Sequence, residues 1–255
     1  MAVEFGERMP TMNPRTSIDM AVVGAGPVGL ALALHAAALL PHARISLFDS
    51  READQDVSAD ARTLALSLGS VQFLQRLDVW PATQAQPILQ VHVSQVAPVL
   101  LPLPSPPEVR ISAADEGVPM LGAVLRYGQL VAPLQLAWVA ATQRGPQRLF
   151  SRFGTPVGTL KALADGVELD AGIAERFDLG VIAEGGVFAG QVRKAVAHDY
   201  QQTAWVGTVT LKGGEPGLAI ERFTRHGPLA LLPLPTSDDA PRQAALVWCV
   251  ASGDD

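Results

Sequence analysis

The sequence predicts an α/β fold in which a parallel βαβ unit is interleaved with a β-rich part. Three observations carry that expectation. A short apolar run, Ile18 to Val23, leads directly into the glycine-rich segment Gly24-Ala25-Gly26-Pro27-Val28-Gly29. An Ala/Leu stretch, Val28 to Leu40, follows with no breaker after Gly29 and stops at Pro41. From Thr203 onward the pattern is of strands only: Trp205 to Leu211, Leu218 to Phe223, Leu229 to Leu234 and Ala244 to Ala251.

Each element has a local cause. Ile18 to Val23 is partly β-branched and mostly apolar, as a strand buried on both faces requires. The glycines turn the chain, and Val28 to Leu40 has the composition of a buried helix. Arg44 to Phe48 reads as the second strand and ends at Asp49, which completes a βαβ unit of about thirty residues. Thr63 to Leu77 shows helical spacing, with Leu64, Leu68, Val71, Leu74 and Leu77 on one stripe. Pro87 to Val99 reads as strand, and the proline-rich Leu101 to Pro107 as an extended connector. Gln129 to Thr142 is helical despite Pro133. Gln147 to Val157 and Gly158 to Leu169 read as short strands, with Ala164-Asp165-Gly166 as a hairpin turn. Phe177 to Ala183 reads as a third buried strand. The implied division is a leader at 1–16, a discontinuous nucleotide-binding part at 17–86 and 115–197, and a β-sheet part at 87–114 and 198–255.

Composition narrows the function. The chain has 255 residues, 48% hydrophobic and 17% charged, with a net charge of -6. It can bury a large core, and its acidic balance argues against nucleic acid as a partner. The single cysteine, Cys249, rules out an internal disulfide framework and a Cys-rich metal site, and fits a reducing, cytoplasmic setting. No His/Cys/Asp cluster has metal spacing, so no metal is expected. Ala21 to Leu40 lacks charge, but its early glycines and Pro27 make it a strand, turn and helix rather than a membrane span.

The candidate chemistry sits at Gly24-x-Gly26-x-x-Gly29. The first glycine permits a tight turn, the second lets backbone approach a pyrophosphate, and the third lets helix and strand pack closely. Pro27 opens the helix, whose free N–H groups and positive dipole end face the phosphates. Asp49 follows Gly29 by twenty residues, at the end of the next strand, where an acid accepts hydrogen bonds from a ribose. This is a Rossmann-like dinucleotide site, and the fingerprint alone does not choose between FAD and NAD.

Four further stretches resemble the FAD-dependent aromatic-ring hydroxylases, in particular the ubiquinone-biosynthesis branch. They are Asp60 to Ser67 continued by Leu77-Asp78-Val79-Trp80; Val91 to Ser94; Ala183-Glu184-Gly185 followed by Val192-Arg193; and Glu221 to Leu234. Leu246 to Cys249 fits more weakly. The resemblance spans Ile18 to Cys249. It implies a Rossmann-like FAD-binding domain interleaved with a β-sheet substrate domain, corresponding to the N-terminal two-thirds of such an enzyme.

The resemblance also implies roles. Arg62 would reach from a helix toward the flavin pyrophosphate and ribityl side. Glu184 and Gly185 would lie beneath the pyrophosphate and ribityl chain, where the family usually has Asp-Gly. Arg126, Tyr127 and Gln129 would open a helix bordering the flavin. Phe223, Leu232 and Pro233 would line the substrate pocket. His226, beside Gly227-Pro228, reads as an exposed turn residue rather than a catalytic base.

The implied activity is hydroxylation of a polyprenylated phenol. NADH or NADPH would reduce FAD, and oxygen would add to form a flavin hydroperoxide. Peripheral association with the inner membrane or with a ubiquinone-biosynthesis complex would follow from a lipid-tailed substrate. The chain stops at Asp255, before the family's later Gly-Asp-Ala segment. Alone it is therefore expected to hold FAD weakly and to be inactive. An FAD- or NAD-dependent dehydrogenase on the same fold, or an inactive fragment, are the alternatives.

Overall fold

The computed structural model describes residues 17–96, 107–184, 199–236 and 240–253. The expected leader, most of the proline-rich connector, Gly185 and Arg193 lie outside the described residues.

The first unit is a four-stranded parallel sheet in the order β12-β1-β2-β8, formed by β1 (Asp19–Val23), β2 (Arg44–Phe48), β8 (Leu149–Arg152) and β12 (Leu179–Ile182). Its two faces are covered differently, and strand alternation sorts the side chains between them. Met20 and Val22 pack with Leu30, Leu134 and Trp138 of α1 (Pro27–Leu39) and α3 (Tyr127–Arg144). Ala21 and Val23 face the other way, against Val157, Leu169 and Phe177. That second cover is an antiparallel meander of β9 (Thr159–Leu163), β10 (Gly166–Asp170) and β11 (Ala174–Phe177). Phe48 and Phe177 meet edge to face there, 5.9 Å between centroids.

Two further sheets are present among the described residues. β3 (Thr63–Ser67), β7 (Gly122–Arg126) and β4 (Gln86–Ile88) form a small antiparallel sheet in the order β3-β7-β4. A six-stranded sheet runs β13-β16-β15-β14-β5-β6. Its strands are β5 (Gln90–Gln95), β6 (Glu108–Ser112), β13 (Gln202–Thr210), β14 (Leu218–Thr224), β15 (Gly227–Pro233) and β16 (Gln243–Ala251). The chain thus leaves the small sheet after β4, adds two strands to the large one, and returns as β7. A shared cluster of Ile88, Val124, Ala219, Leu234 and Ala245 joins the two sheets.

The structure corrects two expectations. Thr63 to Leu77 is not one helix: Thr63–Ser67 is strand β3, and α2 covers only Leu68–Arg76. Ser67 caps α2 by accepting the Ser70 N–H, so the helical stripe begins there. The strand expected over 177–183 is also not fully buried. β12 lies at the sheet edge, with Leu179 and Ile182 exposed.

Candidate functional site

The three glycines of the turn are required for three different reasons. Gly24 has φ +103°, and a Cβ there would lie 2.7 Å from the backbone of Ala183 and Glu184. A Cβ on Gly29 would overlap the Gly24 carbonyl oxygen. Both positions are closed by the protein itself. Gly26 is different: its nearest foreign atom is the Tyr127 hydroxyl, 3.4 Å from where a Cβ would sit. Packing does not demand glycine there, and the open side is the side a ligand would occupy.

Helix α1 begins at this opening. Gly26 is its N-cap and supplies no side-chain cap, Pro27 stands in its first turn, and that turn has no acidic residue. The uncapped N–H groups and the positive end of the helix are therefore available to an anion. This cradle fits the pyrophosphate of a dinucleotide.

Asp49 sits where the sequence puts it, at the end of β2, but it also builds the turn. Its Oδ2 accepts the Ala25 N–H, and its Oδ1 accepts the Arg51 N–H at 2.8 Å. Glu184, at the end of β12, faces the same edge. Burial raises the pKa of its carboxyl above the ordinary value, and the nearby Asp49 carboxylate raises it further.

Arg51 is the residue that the sequence reading missed. Its side chain is only 15% exposed. Its guanidinium donates to the Ala25 carbonyl at 3.2 Å and to Gln135 Oε1 of α3 at 2.8 Å, and stacks on Phe153 at 5.6 Å. Arg51 thus ties the floor of the Gly-rich turn to α3. The only sequence hint was the Asp49-Ser50-Arg51 turn, in which an Asp accepts the N–H two residues on.

Arg62 is not on a helix, as the resemblance implied, but in the turn before β3. Its side chain is 70% exposed and pairs with Asp60 at 2.7 Å. The guanidinium lies over the Tyr127 ring, 4.2 Å from its centroid. Because the Tyr127 hydroxyl borders Gly26, this stack brings Arg62 to the rim of the same opening. Arg126, by contrast, is an exposed residue at the start of α3, where its backbone N–H donates to Gln129 Oε1 at 3.0 Å.

The expected pocket residues do not converge. Phe223 is opposite Pro228, and Leu232 falls on the same face by alternation, toward the cluster shared with the small sheet. Pro233 follows Leu232 directly and so points to the opposite face. There it lines a small depression with Leu218, Ile220 and Leu231. Phe223 and Leu232 thus share one face of the large sheet, and Pro233 is on the other. His226 is exposed in the β14–β15 turn.

Comparison with known proteins bears on the fold. No protein-family profile matches the chain. The ubiquinone hydroxylase UbiL of Rhodospirillum rubrum is 28% identical over 251 residues, covering 90% of this chain and 51% of that protein. PqsL of Pseudomonas aeruginosa, described as a probable FAD-dependent monooxygenase, superposes with a TM-score of 0.64 at 16% identity, over 93% of this chain and 62% of that one. Klebsiella pneumoniae HpxO, solved with FAD and uric acid, superposes with a TM-score of 0.60 at 16% identity, over 91% and 56%. The chain has the fold of the FAD-dependent aromatic hydroxylases. It spans about half the length of UbiL. Within this hydroxylase fold, the Gly-rich turn, Asp49 and Glu184 share the C-terminal edge of the parallel sheet. That edge is where open α/β sheets bind their ligands. Among the described residues, no helix is long and apolar enough to cross a membrane.

Proposed function

We propose that this chain is the flavin-binding portion of an FAD-dependent monooxygenase that hydroxylates a polyprenylated phenol in ubiquinone biosynthesis, of the 2-octaprenyl-6-methoxyphenol hydroxylase type. The single observation carrying this reading is the relation to ubiquinone hydroxylase UbiL across 90% of the chain. The shape of the Gly24–Gly29 cradle suits a dinucleotide, and the FAD-bound HpxO of the same fold favours FAD.

In this reading FAD, reduced by NADH or NADPH, supplies the oxygen chemistry, and no metal is needed. The protein supplies binding and position. The N–H groups at the start of α1 hold the pyrophosphate over Gly26. Asp49 accepts from the adenosine ribose while keeping the turn in shape. Arg51 fixes the Ala25 carbonyl from below, and Arg62 adds positive charge at the rim. Glu184 stands at the ribityl side of the site, where the resemblance puts the Glu184-Gly185 pair. The face of the large sheet bearing Phe223 and Leu232 offers apolar surface to an aromatic ring with a lipid tail. Attachment to a membrane surface or a ubiquinone-biosynthesis complex belongs to the same proposal.

The test uses the complete protein. It should oxidise NADH or NADPH and transfer one atom of labelled oxygen into a prenylated methoxyphenol. Steady turnover without oxygen, with a quinone as acceptor, would make it a dehydrogenase instead.

A further inference from the structure

A second concave site lies at the opposite end of the α/β unit. Ala37 is eleven residues beyond Gly26, which at 1.5 Å per residue puts it about 16 Å along α1 from the Gly-rich turn. There the last turns of α1, α2 and α3 enclose a cleft of about 380 Å³. Three arginines enter it, Arg76, Arg144 and Arg148, and no Asp or Glu lines it. Among the described residues none of the three forms an ion pair. The rest of the wall is apolar, including Leu34, Ala37 and Leu77.

Arg148 is the key to the site. Its Nη2 donates to the Ala37 carbonyl at 3.0 Å, whereas its Nη1 is buried with no hydrogen-bond partner. A buried, charged donor left unpaired is costly, and native structures seldom leave one so. Arginines near helix C-termini commonly serve the last carbonyls. That role accounts here for Nη2 but not for Nη1. The backbone already provides for the ends, since Leu40, Leu77 and Gly145 N–H groups donate to Ala36, Phe73 and Ala141. Beside the cleft, Ile18, Leu39 and Leu40 are 45%, 65% and 39% exposed around a shallow apolar depression. Fork-shaped cations in an apolar wall match a phosphate carried on an apolar body.

We propose that this cleft binds an amphiphilic phosphate, with the headgroup on Arg148, Arg144 and Arg76 and the apolar part along Leu34, Leu77 and the exposed end of α1. The source is either a soluble alkyl phosphate or the headgroup of an anionic lipid. This site is independent of the flavin assignment, because it shares no residue with the Gly-rich turn.

The experiment titrates the 255-residue chain with inorganic phosphate and with dodecyl phosphate below its micelle concentration, read by calorimetry and by thermal melting. Saturable binding is expected, tighter for dodecyl phosphate. Arg144→Gln, at an exposed position, should weaken it about tenfold or more, the worth of one charge-assisted hydrogen bond. Arg148→Gln should weaken it at least as much. If loss of the Ala37 contact unfolds that variant, Arg144→Gln and Arg76→Gln decide the matter. Loss of the phosphate signal in Gly26→Ala but not in the arginine variants would place the binding at the phosphate cradle of α1 and overturn the proposal. Absence of saturable binding, or equal affinity in parent, Arg144→Gln and Arg76→Gln, overturns the proposal. A vesicle arm identifies the source. Sedimentation with phosphatidylglycerol but not phosphatidylcholine vesicles, lost in Arg144→Gln, supports a lipid headgroup. Dodecyl phosphate binding without sedimentation supports a soluble anion.

Discussion

Replacing Gly26 and Gly29 in turn by alanine separates ligand binding from folding within one short motif. At Gly29 the new methyl would overlap the Gly24 carbonyl oxygen, with that carbonyl's carbon 3.0 Å away. Both groups belong to the turn backbone, which has little room to yield, so the cost should reach or exceed the roughly 1–3 kcal/mol of an overpacked core. At Gly26 the methyl meets only the Tyr127 hydroxyl at 3.4 Å. The expected stability loss is about 0.5–1 kcal/mol, from exchanging glycine for alanine at an N-cap. The same methyl stands where a pyrophosphate would approach the backbone. Losing one charge-assisted hydrogen bond costs about 1.5–3 kcal/mol, or roughly 10- to 100-fold in affinity. Urea unfolding of each variant measures the first effect, and FAD titration by flavin fluorescence the second. Gly26→Ala should fold like the parent and bind poorly, whereas Gly29→Ala should lose stability first. If Gly26→Ala binds FAD as tightly as the parent, the cradle is misassigned.

Three other perturbations probe the surroundings of the site. Arg51→Met removes the bonds to Ala25 and Gln135, and should destabilise the chain by about 1.5–3 kcal/mol while weakening FAD binding, as urea unfolding and FAD titration would show. Glu184 has a folded pKa raised above its ordinary value, so its ionisation opposes folding. The stability present below the ordinary glutamate range is lost as pH rises through the raised pKa. Glu184→Gln should therefore melt higher than the parent at neutral pH and level with it in acid, as melting scans across pH would show. Trp138 is fully buried, and its Nε1 donates to Ser151 Oγ at 2.9 Å, joining α3 to β8. Trp138→Phe should cost about 1–3 kcal/mol in urea unfolding, through the lost bond and the smaller ring left in a fully buried site.

The parts of this molecule that were legible in the sequence are those fixed by local chemistry. Ile18 to Leu40 could be read as strand, turn and helix because glycines, a proline and an uninterrupted apolar helix occupy consecutive positions. The hairpin around Asp165 and the strands after Thr203 were legible for the same reason. Thr63 to Leu77 misled because Leu64 and Leu68 have helical spacing, although Leu64 and Leu66 also alternate as in a strand. Pairing with β7, about sixty residues away, decides in favour of the strand. The exposure of β12 depends on its edge position, a property of sheet order and not of its own residues. Arg51 was invisible because its partner Gln135 is 84 residues away. The separation of Leu232 from Pro233, in contrast, follows from strand alternation and was available from the sequence.

The flavin-binding role proposed for this chain requires that Gly24 to Gly29 cradle the diphosphate of FAD. Amide hydrogen exchange of the 255-residue chain, with and without saturating FAD, tests it most directly. Exchange should slow at the first turn of α1 and at the end of β2 around Asp49, and this protection should be largely lost in Gly26→Ala. Unchanged exchange at both segments while FAD is demonstrably bound, or protection confined to other surfaces, would contradict it.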